Sequence, residues 1–479
     1  MTVTGTDAEG MRRARTAAEA DADLVELRLD FMQAPDVDAA LAGRRKPVIV
    51  TCRPVREGGR FDGDEQARLQ ILRRAHQLGA EYVDVEWDAR CEDLMRARNG
   101  RGVIVSRHDF SGTPPNAAEV LNELRGMGGE IAKLSVMTGR LSDLSTLLSL
   151  PRDDRSILIG MGRAGMVTRI LAGRFGSCWT YAGDAVAPGQ LSARRLLQEF
   201  RFRRIRPDAA IYALLGRPAA HSLSPAMHNA GFEALGLDAA YVPIEADTVD
   251  DFRDFADRIG LRGASVTIPF KRDVIPLVSA MSATASAAGA INTIAIRDGR
   301  WIGENTDADG FLEPLKRRLP DLRDVHAVIL GAGGAARAVA LALRGEGARV
   351  GISARRSEAA RDVAHEIGAE VVDWPPPRHS WDVLVNATPV GSRAEPGNPY
   401  DRAFDGRVVY DLVYDPDPTE LMRAAGNAGR LVIGGLEMLV AQAERQFEIW
   451  TGQRPPNGLF AAAASAAIEE RKGATDSHR

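Results

Sequence analysis

The chain has 479 residues, 45% hydrophobic and 26% charged, and carries a formal net charge of −4. That length exceeds one ordinary core and predicts two or three domains, and the mild negative charge argues against nucleic-acid and membrane-surface partners. No stretch reaches the run of about 18 apolar residues that a membrane span needs, and MTVTGTDAEGMRRAR has neither a signal-peptide core nor a transit-peptide composition, so a cytoplasmic protein is expected.

In chain order, eight β-rich runs alternate with Ala/Arg-rich helix-like stretches: MTVT (1–4), LVELRLD (24–30), PVIVTCR (47–53), YVDVEW (82–87), GVIVSRHDF (102–110), IAKLSV (131–136), SILIGMG (156–162) and SCWTYA (177–182). Eight such alternations predict a (β/α)8 TIM barrel over residues 1–205, at the short end for that fold. Cys52 and Cys178 fall in strand-like runs, and with Cys91 they form no CxxC pair, so buried reduced thiols are expected. RLLQEFRFRRIRPDAA (195–210) reads as a last helix entering a basic linker. The pattern restarts at IYALLG (211–216), giving an α/β domain over 210–310. HAVILGAGGAARAVALALRGEGARVGISARR (326–356) then reads strand, glycine turn, helix, strand, the opening of a Rossmann domain over 320–435. Two helices within 436–470 are expected to pack back on the 210–310 domain, and the tail after Lys472 to be unordered.

Strand side chains alternate faces. Glu26, Arg28 and Asp30 therefore share one face of their run, as do Asp84 and Glu86 of theirs. Thr51 and Arg53 form a third such set, and Ser135 and Lys133 a fourth. The opposite faces are apolar and suit helix packing, so the polar faces are expected to point into the barrel. One buried charge there is better read as a structural ion pair, but four strands carrying them together point to a site at the C-terminal mouth. His108 sits just past the end of its strand. Lys133 is the stronger signal, because all but five of the 61 basic residues are arginine. A lysine in an apolar run offers what guanidinium cannot, an amine that sheds its proton and attacks a carbonyl. Desolvation and the neighbouring Arg28, Arg53 and Arg169 are expected to favour its neutral form. His108 can shuttle protons, and the arginines suit a carboxylate. The chemistry read from these residues is a Schiff-base lyase or aldolase acting on an anionic keto compound.

The ordered set VELRLD, TCRPVREGG, SRHDF, IAKLSVM, MGRAGMVTR and APGQLS resembles type I 3-dehydroquinate dehydratase across residues 1–200. The resemblance implies an imine between a strand lysine and the C3 ketone of 3-dehydroquinate, with loss of water to give 3-dehydroshikimate. By position it makes Lys133 the imine lysine, His108 the general acid/base and Glu57 the residue that orients it. Glu26, Arg28, Arg53, Arg169 and Gln190 would hold the substrate's hydroxyls and carboxylate. Val186 stands where the family often has serine.

In the second half GAGGAA (331–336) follows an apolar strand and opens a helix, a geometry that brings backbone N–H groups to a pyrophosphate. The next strand ends in SARRS, so Arg355 and Arg356 stand where an acid would meet an NAD ribose; a 2′-phosphate, and hence NADP, is preferred. Upstream, Ser224 and Pro225 read as N-cap and first residue of a helix. Thr267, Lys271, Asn292 and Asp307 end β-like runs, and a Lys–Asp pair can move the proton that accompanies carbonyl reduction.

With VNATPVG, YDLVYDP and GGLEMLVAQAERQFEIWTG, these stretches resemble shikimate dehydrogenase over residues 211–470. The resemblance makes Lys271 and Asp307 the catalytic pair. Ser222, Ser224, Thr267, Asn292, Tyr414 and Gln442 would line the shikimate pocket. Gly331, Ala332, Gly333, Gly334, Ala335, Arg355, Arg356, Leu412 and Gly435 would touch NADP. The family's NRT is Ala354-Arg355-Arg356 here, its NVT is Ser265-Val266-Thr267, and Ala283 replaces a frequent acid. Together the halves imply a bifunctional enzyme of aromatic biosynthesis taking small-molecule substrates, 3-dehydroquinate and then 3-dehydroshikimate, with no metal. The alternatives are a dehydrogenase half that acts on quinate with NAD, or a sensor without catalysis. Oligomeric state is not readable from the sequence.

Overall fold

The structure, a computed structural model, describes residues 1–97, 99–183 and 188–476, with backbone alone for 472–476. Val186 and the side chain of Lys472 lie outside the described residues. By contact density the chain forms two compact units, Met1–His221 with Asp238–Leu261, and Ser222–Leu237 with Arg262–Arg479.

The first sheet runs in sequence order through seven parallel strands: β1 (Thr2–Thr4), β2 (Val25–Arg28), β3 (Val48–Thr51), β4 (Tyr82–Glu86), β5 (Val103–Asp109), β6 (Ile131–Met137) and β7 (Ser156–Met161). The expected eighth strand, 177–182, is not one. Cys178 N–H donates to Ser156 O on β7 (2.9 Å), and Thr2 N–H of β1 donates to Ala182 O (2.7 Å). The segment thus joins both edges of the sheet. Ser177 is why no ladder forms beside β7: its hydroxyl takes the Leu158 N–H (2.8 Å) that a backbone carbonyl would otherwise receive. Cys178 is exposed, against expectation, whereas Cys52 and Cys91 are buried.

The parity argument holds in detail. Val25, Leu27, Val83 and Val85 are fully buried on the outward face, beneath helices such as Glu65–Gln77. That helix begins where Asp64 accepts the Ala67 N–H (3.0 Å) and buries Leu69, Leu72 and Ala75 at helical spacing. Inside the barrel, Ile49, Ile104, Ile131 and Ile157 form an apolar cluster with Tyr181. Two residues further along their strands stand Thr51, Ser106 and Lys133, so a polar layer lies above an isoleucine floor. The expected helix at 195–210 is broken into a π-helical turn, Arg195–Glu199, and a 3₁₀ turn, Phe202–Arg204, because Arg201 between them takes a left-handed conformation (φ 54°).

The second sheet holds β8 (Ala210–Leu215), β9 (Ala239–Ile244), β10 (Leu261–Val266), β11 (Ala280–Met281), β12 (Thr293–Arg297) and β13 (Arg300–Glu304), in the order β11-β13-β12-β10-β8-β9. Its β12–β13 hairpin turns on Asp298 and Gly299, both at positive φ (50° and 72°), as a two-residue loop between twisted strands requires. The third sheet is all parallel: β14 (His326–Leu330), β15 (Arg349–Ser353), β16 (Glu370–Val371), β17 (Val383–Asn386), β18 (Val408–Asp411) and β19 (Leu431–Ile433), ordered β16-β15-β14-β17-β18-β19. This is the doubly wound dinucleotide-binding order, with its switch point between β14 and β17. The helix Leu459–Asp476 continues past Lys472, where the sequence predicted an unordered tail.

Candidate active sites

The mouth of the barrel holds a cavity of about 610 Å³, open to solvent, lined by Glu26, Arg28, Arg53, Glu57, His108, Lys133, Arg169 and Gln190. All eight residues chosen from the sequence for the first half therefore meet in one place. Glu57 follows β3 in a short turn. One of its oxygens accepts both the backbone N–H of His108 (2.8 Å) and its ring Nδ1 (2.9 Å), which leaves Nε2 to the cavity. Burial pushes the Glu57 carboxyl up to about 7, against the opposing pull of the His108 N–H and Arg53. Burial, then Arg53 and Lys133, hold the imidazole well below its usual value. The histidine is thus a neutral base at neutral pH, and its partner titrates there.

Lys133 lies on β6 and is 5% exposed. Its amine donates to Asp84 Oδ2 on β4 (2.9 Å) and lies 4.4 Å from the Tyr181 ring centroid. The partner in contact with it is a carboxylate, which the sequence did not assign to it, while Arg28, Arg53 and Arg169 line the same cavity as expected. Asp84 also meets Arg53 (2.8 Å) and Ser106 Oγ (2.5 Å). Burial alone would raise its pKa, but Arg53 and Lys133 hold the carboxyl far below the usual range. Arg53 pairs further with Glu86 (2.7 Å), and Arg68 closes on Glu86 (2.5 Å). Both terminal nitrogens of Arg53 are therefore spent on protein carboxylates. Arg28 is gripped in bidentate fashion by Asp30 (2.8 Å to each oxygen). Glu26 receives hydroxyls from Thr2 (2.7 Å) and Thr51 (2.8 Å).

Arg169 differs from these. It is 3% exposed; among the described residues it donates a long bond to Pro188 O (3.3 Å), and its Nε is buried and unbonded. No carboxylate pairs with it among the described residues, and burial pulls it down to about 10 despite Glu26. An unpaired buried cation facing a cavity is costly, and an anion placed there relieves the cost.

The second unit gathers another set. Lys271 Nζ donates to Asp307 Oδ2 (2.5 Å), and Asn292 Nδ2 donates to Asp307 Oδ1 (2.8 Å). Asp307 opens the helix Asp307–Arg318, where the helix dipole favours a carboxylate. Gln442 is drawn in by Gly310, one turn along: a Cβ there would lie 2.6 Å from Gln442 Cβ, so only glycine lets the helix Gly435–Thr451 approach. Ser222 Oγ donates to Ser224 Oγ (3.1 Å) and accepts the Ser224 N–H (3.1 Å). The helix N-cap is Leu223 rather than Ser224, so Ser224 takes the first helical position and keeps its hydroxyl on Ser222. Thr267 caps the end of β10, half-buried. Tyr414 lies 37% exposed beyond β18, its phenol raised by burial and influenced by Arg471. Arg471 also donates to Ser222 O (2.9 Å).

Gly331 ends β14 at φ 111°, tight against Ala387 and Thr388 beyond β17, so it sits at the switch point. Gly333, Gly334 and Ala335 are exposed at the start of the helix Gly334–Gly345, and Ala332 is partly buried. A Cβ at Gly333 or Gly334 would meet no protein atom. The protein itself does not need glycine there; a closely approaching ligand does. Arg355 and Arg356 project exposed after β15. Gly435 is pressed against Leu412 O, 2.3 Å from a Cβ it lacks, which unites two more sequence choices. A dinucleotide with a 2′-phosphate fits these groups.

Sequence reasoning put Asp84 on the right face but did not name it as Lys133's partner. It missed Gln446, 1% exposed, whose Oε1 accepts from Ser265 Oγ (2.7 Å) and whose Nε2 donates to Thr293 Oγ1 (2.9 Å) and Asn292 O (3.2 Å). The only hint was Ser265, where the family pattern has asparagine.

Residues 1–207 match the family Type I 3-dehydroquinase, 214–294 the shikimate dehydrogenase substrate binding domain and 435–464 the shikimate 5′-dehydrogenase C-terminal domain. The chain is 32% identical to the bifunctional 3-dehydroquinate dehydratase/shikimate dehydrogenase, chloroplastic, of Arabidopsis thaliana, over 93% of this chain and 80% of that one. Its second half is 40% identical to the shikimate dehydrogenase (NADP(+)) of Oleidesulfovibrio alaskensis, over 51% of this chain and 91% of that protein. A shikimate dehydrogenase solved in complex with NADP+ superposes with a TM-score of 0.51 at 32% identity, over 56% of this chain and 97% of its own. The dehydroquinase and shikimate dehydrogenase domains matched in this order, and a bifunctional relative 32% identical and covered over 80% of its length, place this chain in the family of bifunctional 3-dehydroquinate dehydratase/shikimate dehydrogenases.

Proposed function

We propose that residues 1–205 dehydrate 3-dehydroquinate to 3-dehydroshikimate, and that 210–310 with 320–435 and the helices of 436–470 reduce this product to shikimate with NADPH, in the cytoplasm. The observation that carries the first half is the convergence of Lys133, His108 and the uncompensated Arg169 on one cavity. Arg169, with Arg28, holds the substrate carboxylate; Glu26 and Gln190 meet its hydroxyls. Arg53 contributes mainly by fixing Asp84. The Lys133 amine gives up its proton and adds to the C3 ketone, water leaves, and the imine forms. His108 Nε2 takes a proton from the adjacent carbon and returns one to the departing hydroxyl. Hydrolysis then frees Lys133 and the enone.

In the second half, Ser222, Ser224, Thr267, Asn292, Tyr414 and Gln442 hold 3-dehydroshikimate beside Lys271 and Asp307. Gly331 to Ala335, Leu412 and Gly435 receive the dinucleotide, and Arg355 with Arg356 meets the 2′-phosphate. Bound NADPH supplies the hydride. Lys271, hydrogen-bonded to Asp307, supplies the proton to the carbonyl oxygen.

The test is to supply 3-dehydroquinate and NADPH together and follow enone absorbance, NADPH loss and shikimate. Borohydride with 3-dehydroquinate should trap a covalent adduct on Lys133, and Lys133→Arg should keep the charge and lose both adduct and turnover. An adduct on another residue, or a preference for NADH, sinks the corresponding half.

A further inference from the structure

The segment 217–221 leads from β8 into Ser222 and Ser224, and it has no ladder of its own. It is held from outside. Glu245, just past β9 with a side chain 10% exposed, turns one oxygen to the backbone N–H groups of Ala219 (2.8 Å) and Ala220 (3.3 Å). Arg195, itself clamped by Glu199, donates to Ala220 O (3.0 Å). Among the described residues, the second Glu245 oxygen is buried without a hydrogen bond and faces Arg163 at 3.5 Å. Arg163 is 73% exposed, and such a pair contributes little. The hold on the segment is therefore the carboxylate's own acceptor capacity toward two N–H groups, a charge-assisted arrangement stronger than neutral pairing.

We propose that Glu245 is a positioning residue for the second reaction: it fixes the backbone immediately before Ser222 and so sets where the Ser222 and Ser224 hydroxyls meet the substrate. This rests on the reading of Ser222 and Ser224 as substrate ligands. Glu245 touches neither substrate nor cofactor, so its signature is in substrate recognition alone.

Glu245→Ala, in the full chain, should raise the shikimate KM about tenfold, an effect of the size of one lost hydrogen bond to a charged group. The NADP KM and the dehydratase kcat/KM should stay within about twofold. Glu245→Gln should recover the shikimate KM to within about threefold, since its amide oxygen accepts the same two N–H groups. Arg163→Ala should change it less than about twofold. Amide exchange at Ala219 and Ala220 should quicken at least about tenfold in the Ala variant only. An unchanged shikimate KM in Glu245→Ala, or equal losses in the Ala and Gln variants, overturns the proposal. If the Ala variant fails to fold, the Gln variant decides, and a tenfold rise there refutes it. Wild-type protein that does not oxidise shikimate refutes the functional reading instead, while the exchange measurement still tests the hold of Glu245 on the segment.

Discussion

Asp84→Asn isolates the physics of the barrel interior. The replacement keeps shape and the Ser106 contact and removes one negative charge from a group that is 0% exposed. In the wild type Asp84 and Glu86 face Arg53, Arg68 and Lys133. After the change, Arg53 and Lys133 are left with Glu86 alone, which Arg68 also contacts while keeping its own partner Glu65. Leaving a buried charge uncompensated costs about 3–5 kcal/mol, roughly a 10²–10⁴-fold shift in the opening equilibrium. Since both units contribute to any global transition, the assay should be local: amide exchange followed by mass spectrometry, comparing peptides from β4 and β6 with peptides from β14 and β17. Barrel peptides should exchange faster by that factor, and Rossmann peptides should not change. The Lys133 amine loses its anchor as well, so borohydride trapping should slow. If barrel exchange quickens by less than about tenfold, corresponding to about 1.4 kcal/mol, the charge of Asp84 is not what compensates Lys133 and Arg53, and the account of the polar layer is wrong.

Glu57 titrates near 7. Above that pH its carboxylate accepts the Nδ1–H of His108 and frees Nε2 as a base; below it, the protonated carboxyl donates its O–H to Nδ1, so the neutral ring carries its hydrogen on Nε2 and cannot act there as a base. Dehydratase turnover should therefore fall as pH drops through about 7, and Glu57→Gln should flatten that limb between about pH 6 and 8 while lowering the plateau; a limb that survives in the variant refutes the coupling. Asp307→Asn should lower dehydrogenase kcat by about 10²–10⁴-fold with the NADP KM and the dehydratase unaffected, and a change confined to cofactor affinity would contradict the geometry. Arg355→Ala should raise the NADPH KM about tenfold or more, the loss of a charge-assisted phosphate contact, and leave NADH use unaltered.

Much of this protein is legible in its sequence alone. Parity along LVELRLD and YVDVEW was enough to put Glu26, Arg28, Asp84 and Glu86 inside the barrel, because a strand has only two faces and the other was apolar. The rarity of lysine singled out Lys133 and Lys271. The glycine turn after HAVIL announced the dinucleotide site because only glycine lets backbone come so near a phosphate. The eighth strand was misread because one hydroxyl, Ser177, takes over a β7 donor; periodicity does not register a side chain replacing a ladder bond. Cys178 is exposed for the same reason, since the segment it occupies is a closing strap rather than a packed strand.

The residues themselves thus determined which side chains carry the chemistry and which way each strand faces, since both follow from local geometry and residue type. The tertiary structure decided who meets whom: that Asp84 grips Lys133, that Arg169 is left without a carboxylate among the described residues, and that Gly310 admits the close approach of Gln442. Those pairings depend on the register between neighbouring strands and on how closely two helices approach, which are set by the packing of residues far apart in the chain and are written in no single stretch of it.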